Sequence, residues 1–257
     1  MAPRTGEQIH SILNSGADPS SPELQEALAA AEIELKAELG GRALASPLDL
    51  NDSAMLRRFL VARKLQVPAT VAMLEAHAAW LEQTYPIALP EVLEEIRKGK
   101  AYSHGEDANG NPLVFLCSRN FDPRRRDLAT AVRATIYMVD EALRLASAKC
   151  DGGGGQIAVF YDRTDFSVTK NLDLPLIKAV VTTLSANYPE RLAAVYVYPA
   201  GSLASMILRM VSPLLDPRTV NKVHLITSEA LLREHIPDAY VPVRYGGTST
   251  FEFDPAA

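Results

Sequence analysis

The chain has 257 residues, a length that suits one large α/β domain with a helical attachment. Apolar residues make up 47% of the chain and charged residues 22%, which is typical of a folded globular protein and excludes disordered, collagen-like and disulfide-scaffold chains. Lysine and arginine number 26 against 31 aspartates and glutamates, so the formal net charge is −5; this argues against a dedicated nucleic-acid-binding protein, which needs a strongly positive field.

Two features of the sequence bear on the cellular compartment. The two cysteines, Cys117 and Cys150, are too few for a disulfide framework and are not spaced like a metal site or a redox pair. Residues 1–21 contain no apolar segment of the kind found in a signal peptide or a membrane anchor. We therefore expect a cytoplasmic protein with reduced thiols.

A first helix is predicted within a polar leader. Ser21 is a typical N-cap and Pro22 a typical first-turn residue, and the helix that they open continues to about Leu39. A glycine pair at residues 40–41 ends it. Residues 1–47 are accordingly expected to form a flexible leader that contains this one helix.

A helical unit is expected over residues 48–100. Its first helix follows a polar cap at residues 51–53, and its apolar face has helical spacing and consists of Met55, Leu56, Phe59 and Leu60. Its second helix begins near Pro68 and keeps an apolar stripe up to a break at residues 85–86. A short helix at residues 91–98 completes the unit.

Strands and helices alternate from residue 109 onward. Turn residues at 109–112 precede a short apolar run that is bounded like a strand. The predicted strands are 113–117, 157–161, 193–197 and 223–226, and the predicted helices between them are 127–149, 174–186 and 202–215. Apolar strands joined by helices predict an α/β protein with a mostly parallel sheet and right-handed crossovers.

Local signatures of three kinds of enzyme site are absent from the sequence. Residues 199–203 lack the second glycine of a hydrolase elbow. Glycines 152–155 precede a strand, whereas a dinucleotide site needs them after one, so this tract is interpreted as a flexible connection. The histidines, at positions 10, 77, 104, 224 and 235, show no pair spaced for metal ligation on one face. The sequence therefore predicts no metal ion and no cofactor.

One catalytic alternative stays open. Asp162 and Asp165 lie just beyond a predicted strand, where the active sites of open α/β sheets tend to be found. Together with Ser202, they are the residues that an esterase or phosphatase of this fold class would use. Aspartates in such loops more often supply turns and helix caps, so the catalytic interpretation is the less favoured one.

Four stretches of the sequence, in this order and spacing, resemble the CRAL-TRIO family of phosphatidylinositol/phosphatidylcholine transfer proteins. They are LRRFLVARK at residues 56–64, with Trp80 closing the next helix, NYPERL at 187–192, PLLDPRTVNKV at 213–223 and PVRYGG at 242–247. The resemblance implies the CRAL-TRIO fold, in which a mostly parallel sheet and covering helices enclose a hydrophobic lipid cavity. The lipid-binding domain would be residues 101–247, with a tail at 248–257.

The resemblance also implies a gate helix over residues 202–215 that closes the cavity. Its apolar residues are Leu203, Met206, Ile207 and Met210, which form a stripe at helical spacing, and the adjacent Val211. A helix that covers lipid when closed and rests in a bilayer when open must be apolar on both faces.

Headgroup-binding residues carry over from the family by position. In members that bind phosphatidylinositol they are a basic residue of the helical unit, the glutamate of the Tyr-Pro-Glu-Arg stretch and a Thr/Lys pair before the last strand. Here these positions are Arg63, Glu190, Thr219 and Lys222. The two cations and the threonine hydroxyl can donate hydrogen bonds to phosphate, and the glutamate can accept them from inositol hydroxyls.

The positions that face choline in members of dual specificity depart from the family pattern. They are Ile157, Leu184 and Val114, none of which carries a hydroxyl. Phosphatidylcholine is therefore not expected, and a carrier of another hydrophobic ligand, of isoprenoid, retinoid or tocopherol type, stays an alternative.

The sequence thus predicts a non-enzymatic protein that binds phosphatidylinositol and transfers or presents it at membranes. We expect a cytoplasmic monomer whose ligand is the bound phospholipid and which associates transiently with a membrane surface. The basic run at residues 124–126 would contribute to that association. Lipid kinases are candidate recipients of the presented lipid, and no nucleic-acid partner is expected.

Overall fold

The computed structural model describes residues 21–149 and 155–254. The chain divides into two units: the first comprises the described residues up to 86 together with 186–190, and the second comprises those of 87–185 and 191–254. Predictions for residues 1–20, for Cys150, for glycines 152–154 and for residues 255–257 lie outside the described residues.

The first unit is built from three helices, α1 (Pro22–Leu39), α2 (Ser53–Ala62) and α3 (Val67–Thr84). Two of them have the side-chain caps that the sequence predicts. Ser21 Oγ accepts a hydrogen bond from Leu24 N at 3.4 Å, and Asp52 Oδ1 accepts one from Met55 N at 2.8 Å. Such caps satisfy amide groups that the first turn of a helix leaves without a backbone acceptor.

Helix α1 shares one apolar core with α2 and α3. The most deeply buried side chains of this shared core include Leu35, Leu39, Leu56, Leu60 and Leu74. Glu32 of α1 is also buried, and its carboxylate lies 2.8 Å from Lys36 Nζ and 2.8 Å from Arg57 Nε. Residues 22–39 therefore belong to the helical unit and not to the flexible leader expected before residue 48.

The second unit alternates helices and strands around one sheet. In chain order its elements are α4 (Leu89–Ile96), β1 (Ala101–Glu106), β2 (Pro112–Cys117), α5 (Leu128–Lys149), β3 (Ile157–Asp162), α6 (Val168–Asn171), α7 (Leu174–Asn187), β4 (Leu192–Tyr198), α8 (Ser202–Val211), α9 (Pro217–Asn221), β5 (Val223–Leu225) and α10 (Glu229–His235). The last two residues of α7 are counted with the first unit.

The five strands lie in the order β1–β2–β3–β4–β5. Strand β1 is antiparallel to β2, and every other neighbouring pair is parallel, which confirms the predicted mostly parallel α/β sheet. Because the parallel strands follow one another in sequence order and such crossovers are right-handed, the connecting helices α5, α7 and α8 lie on the same face of the sheet.

The opposite face of the sheet holds the core of the second unit. Its central row consists of Phe115, Phe160 and Tyr196, which lie in register on β2, β3 and β4 and are at most 2% exposed. Leu232 of the C-terminal helix α10 and Ile236, the residue that caps it, are buried in the same cluster. This face is therefore closed by α10 and the residues after it.

Five elements differ from the prediction, and two of them are the short helices α6 and α9, which were not predicted. Strand β1 escapes a search for apolar runs because, as an edge strand, it buries Tyr102 alone of its six residues, all of which the structure describes. Helix α10, capped by Ser228, was also not predicted. The predicted gate helix ends at Val211 rather than at residue 215, since Pro213 lacks an amide hydrogen, and a 3-10 turn, Ser212–Leu214, follows it.

Candidate functional site

The face of the sheet under α5, α7 and α8 carries two apolar rows that run across four strands. By the register of the parallel pairs, one row is Val114, Val159, Val195 and Val223, and the other is Leu116, Tyr161, Val197 and Leu225. Val114 and Val197 are buried, and the other six side chains are only half-buried. This face is therefore apolar but incompletely covered.

Of the three helices on this face, one is packed tightly and two are not. Helix α5 buries seven of its 22 residues. Helix α7 buries Leu176 alone and α8 buries Ala204 alone, although both helices are mostly apolar and the structure describes every residue in them. The incompletely covered part of the sheet therefore lies under α7 and α8, each of which buries only one side chain.

The predicted gate residues lie on α8 with much of their apolar surface uncovered. Leu203, Ile207 and Val211 are half-buried, whereas Met206 and Met210 are 49% and 44% exposed. An apolar helix that packed directly on an apolar sheet would bury such side chains, at roughly 1.5–3 kcal/mol each. The arrangement instead leaves apolar surface on the sheet and on α8 that a hydrophobic ligand can cover.

Thr219 and Lys222 lie at the amino ends of β4 and β5. Helix α9 begins after Asp216, whose side chain accepts a hydrogen bond from Arg218 N at 2.8 Å, and Lys222 caps its C-terminus. Lys222 Nζ donates to the carbonyl oxygen of Leu192 at 2.6 Å. Both predicted residues are half-buried, and their spacing of three places them on one side of this helical turn.

Arg63 and Glu190 lie in the first unit. Arg63 is the exposed residue that caps the C-terminus of α2. Glu190 is half-buried with a positive φ of 58°, and it follows Tyr188, whose ring packs edge-on against Trp80 with 5.9 Å between centroids. The structure thus describes the four predicted headgroup residues as two pairs in two units, and their common binding of one headgroup stays a prediction.

The three positions predicted to face choline carry apolar side chains that are buried or half-buried. Val114 and Ile157 are buried and Leu184 is half-buried. Strand alternation places Ile157 on the same face as Val159. These positions therefore offer no hydroxyl to the half-buried face.

The polar group within the two rows is the hydroxyl of Tyr161, a residue that our sequence analysis did not single out. Strand alternation in IAVFYD already places it on the same face as Ile157 and Val159. Burial raises the pKa of Tyr161 to about 12. Its hydroxyl is thus protonated at neutral pH and can donate a hydrogen bond.

The three candidate catalytic residues do not form a catalytic group. Asp162 is fully buried, and its Oδ2 lies 2.7 Å from Arg119 Nη1 and 3.6 Å from Arg244 Nη2. Alternation places Asp162 on the packed face with Phe160, whereas Asp165 and Ser202 are exposed. The Asp162 carboxylate holds the loop after β2 and the C-terminal segment together through the two arginines.

The described residues contain no cluster suited to a metal ion. Across 21–149 and 155–254, no three or more His, Cys, Asp and Glu side chains come together in a way that could bind one. Within the same ranges, no helix has the length and apolar character needed to cross a bilayer.

Comparison with known proteins identifies one family and several relatives. The sequence model of the CRAL/TRIO domain matches residues 96–247. Phosphatidylinositol transfer protein CSR1 of Eremothecium gossypii is 25% identical over 264 residues, 95% of this chain and 59% of that protein. CRAL-TRIO domain-containing protein YKL091C of Saccharomyces cerevisiae is 28% identical over 223 residues, 78% of this chain and 72% of the relative. SEC14 cytosolic factor of Candida glabrata is 26% identical over 262 residues, 95% and 85% of the two chains.

The fold has a counterpart among solved structures. The crystal structure of Sfh5 superposes with a TM-score of 0.66 and covers 98% of this chain and 91% of its own. At 16% sequence identity, this likeness shows the fold alone. The chain spans 59% of the length of CSR1.

Proposed function

The chain belongs to the CRAL/TRIO domain family, and on that premise we propose that it is a non-enzymatic lipid transfer protein that binds phosphatidylinositol in an internal cavity and exchanges it at membranes. The observation that carries this proposal is the half-buried apolar face under α7 and α8. The printed name of CSR1, a phosphatidylinositol transfer protein, supports the choice of lipid.

The size of the hydrophobic effect explains why such a lipid needs a carrier. At about 0.8 kcal/mol per methylene, exposing roughly thirty methylenes of a two-chain lipid to water costs on the order of 24 kcal/mol. A cavity as apolar as the bilayer makes exchange nearly balanced, since the chains leave one apolar environment for another. Headgroup contacts then decide which lipid is retained.

The headgroup contacts are assigned to the four residues that match the family pattern. Lys222 and Arg63 would donate charge-assisted hydrogen bonds to the phosphate. The Thr219 hydroxyl would donate to it as well, and Glu190 would accept from inositol hydroxyls. The half-buried setting of Thr219 and Lys222 beside the apolar rows supports their part in this assignment.

Helix α8 is the proposed gate. Met206 and Met210 are exposed apolar side chains and would enter the bilayer when α8 moves away from the sheet. Arg124 and Arg125, both exposed, would add electrostatic attraction to an anionic membrane, at about 1 kcal/mol per basic residue near the surface. The exchange would thus take place during a transient membrane contact.

The proposal also covers ligand selectivity, cellular location, oligomeric state and the recipient of the lipid. Phosphatidylcholine is not expected to bind, because Val114, Ile157 and Leu184 lack hydroxyls. The protein would act as a cytoplasmic monomer without a cofactor, and a lipid kinase is the proposed recipient of the presented lipid.

A vesicle transfer assay tests this function. Donor vesicles contain labelled phosphatidylinositol, phosphatidylcholine or a long-chain isoprenoid alcohol, and acceptor vesicles are unlabelled. We expect the full chain to move phosphatidylinositol at least tenfold faster than phosphatidylcholine. Failure to move phosphatidylinositol, with transfer of the isoprenoid alcohol, would replace this proposal by the alternative of another hydrophobic cargo.

A further inference from the structure

Two polar side chains follow each other on the half-buried face at the carboxyl end of β3. Tyr161 lies in the second apolar row between Leu116 and Val197. Arg163 stands two residues further on, and its amide donates to the carbonyl oxygen of Tyr198 at 2.7 Å. Because the strand ladder continues to Arg163, alternation directs its side chain to the same face as that of Tyr161.

The Tyr161 hydroxyl has no hydrogen-bond partner among the described residues. Tyrosines of the packed face differ: the Tyr196 hydroxyl donates to Asp107 Oδ2 at 3.1 Å, and the Tyr245 hydroxyl accepts from Thr164 Oγ1 at 3.3 Å. Burial raises the pKa of Tyr161 to about 12, so the hydroxyl keeps its proton. It is a hydrogen-bond donor that faces an apolar surface.

The Arg163 guanidinium is held in place but forms no ion pair with any described carboxylate. Its Nη1 donates to the carbonyl oxygen of Pro199 at 3.0 Å, and its Cζ lies 5.4 Å from the centroid of the Phe166 ring. Its Nε is buried without a hydrogen-bond partner in the described part of the chain. Asp162 is engaged by arginines on the packed face, and Asp165 is exposed.

Neither the buried Nε nor Nη2 of the guanidinium has a hydrogen-bond partner among the described residues. With Nη1 engaged by Pro199, Nε and Nη2 remain, and two adjacent N–H groups of this kind bind a carboxylate in a bidentate manner. Helix α8 begins three residues after Pro199, and its N-cap residue Gly201 provides no side-chain acceptor. The positive end of the helix dipole thus adds to a site at the carboxyl ends of the strands.

We propose that Arg163 and Tyr161 bind the carboxylate of a single-chain amphiphile, a long-chain fatty acid, whose tail lies along the half-buried rows of the sheet. Nε and Nη2 of Arg163 and the hydroxyl of Tyr161 supply three hydrogen-bond donors and one positive charge. They match the two oxygens and the single negative charge of a carboxylate. A phosphate monoester carries about −1.5 to −2 charges, whereas Arg163 supplies a single positive charge. The fatty acid is therefore the favoured ligand.

The proposal rests on the apolar face of the proposed function but not on its headgroup site. Val197, the neighbour of Tyr161, lies five residues along β4 from Leu192, whose carbonyl oxygen binds Lys222. At 3.3 Å per residue the two ends of the face are roughly 16 Å apart. The carboxylate site and the phosphate site are thus separate polar ends of one apolar surface.

Binding of oleate and methyl oleate to the full chain, measured by isothermal titration calorimetry, tests the proposal. We expect Arg163→Gln to weaken oleate binding at least tenfold and Tyr161→Phe to weaken it three- to fivefold. Arg163→Lys, which keeps the charge without the bidentate edge, should be intermediate. Methyl oleate should bind the unaltered chain no better than oleate binds Arg163→Gln. Arg144→Gln, at an arginine of α5 that is 67% exposed, is the matched control and should not change oleate affinity.

Equal oleate affinity in the unaltered chain and Arg163→Gln would overturn the proposal, and so would equal affinity of the unaltered chain for oleate and methyl oleate. If Arg163→Gln does not fold, the proposal is tested by oleate binding to Tyr161→Phe and by comparing oleate with methyl oleate on the unaltered chain. Phosphatidylinositol transfer by the same preparations separates the two proposals. Transfer without oleate binding contradicts only the carboxylate site, whereas Arg163-dependent oleate binding without transfer contradicts only the phosphatidylinositol assignment.

Discussion

Lys222 is tied into the second unit by both its backbone and its side chain. Its amide donates to Thr219 O at 3.1 Å, its carbonyl oxygen accepts from Val195 N at 2.8 Å, and its Nζ donates to Leu192 O at 2.6 Å. The two backbone bonds survive any substitution that keeps the main chain in place. The charge at the amino ends of β4 and β5 can therefore be removed without removing the turn that carries it.

Lys222→Ala is expected to lower the rate of phosphatidylinositol transfer at least tenfold, because the phosphate loses a charge-assisted donor worth about 1.5–3 kcal/mol. The rate is measured between vesicles, with Lys178→Ala at an exposed position of α7 as the control. Undiminished loading and transfer in Lys222→Ala would favour a carrier of another hydrophobic ligand.

Glu32 gives the first unit a pH-dependent contribution to stability. Burial by itself would raise the pKa of Glu32, but hydrogen bonds from Lys36, Ser53 and Arg57 outweigh it and lower this pKa from 4.5 to about 2. Because the pKa in the folded state lies below that in the unfolded state, the contribution is present above about pH 4.5. It is lost as the pH falls from there towards 2.

Glu32→Gln should therefore lower the free energy of unfolding at pH 7 by about 1–3 kcal/mol and flatten its dependence on pH between 4.5 and 2. Urea denaturation at several pH values measures both effects. Glu34→Gln, at an exposed position of the same helix, is the control. An unchanged pH dependence in Glu32→Gln would contradict the role given to this carboxylate.

At the scale of elements, β4 shows the difference between the two faces of the sheet in adjacent residues. Ala194 is 6% exposed and belongs to the packed core. Val195, the next residue, is half-buried in the first apolar row under α7 and α8. Replacing Ala194 or Val195 by phenylalanine therefore tests whether the space next to each side chain is filled by protein or open.

Ala194→Phe is expected to destabilise the second unit by about 3 kcal/mol or more, because the core has no room for the ring. Val195→Phe should cost less than about 1 kcal/mol and instead lower the amount of lipid bound per chain. Denaturant unfolding and quantitative lipid extraction measure the two effects. Equal destabilisation by both substitutions would mean that the face under α7 and α8 is filled by protein.

Helix α8 supplies a prediction about membrane contact. Replacing Met206 and Met210 together by glutamine should reduce binding to anionic vesicles severalfold, since two exposed apolar side chains would no longer enter the bilayer. The free energy of unfolding should change by about 0.5 kcal/mol or less, as is usual for exposed positions. Ile33→Gln, at a 72% exposed position of α1, is the control in a vesicle sedimentation assay. Unchanged sedimentation of the double variant would exclude α8 from the membrane contact.

The sequence predicts those elements whose local pattern is strong. Apolar runs identify β2 to β5, and side-chain caps identify α1 and α2. Strand β1 has no such run, because an edge strand with one buried side chain does not need one. Alternation in β3 assigns Tyr161 to a face, but it does not say which face remains uncovered. That depends on the placement of α7 and α8, which the local sequence does not determine.

At the scale of the whole molecule, a net charge of −5 is compatible with anionic ligands because each polar end needs few cations. Lys222 lies at the amino ends of β4 and β5, and Arg163 lies at the carboxyl end of β3. The phosphate site proposed at Lys222 follows from a family resemblance. The site proposed at Arg163 does not, since its significance depends on the fact that Arg163 forms no ion pair with any described carboxylate.

The central claim is that the half-buried face of the second unit holds phosphatidylinositol. Mass spectrometry of the lipid that co-purifies with the full chain tests it most directly. The predicted result is phosphatidylinositol at up to one molecule per chain, reduced in Lys222→Ala and in Val195→Phe. Recovery of a different lipid class in its place, from cells that contain phosphatidylinositol, would contradict the account.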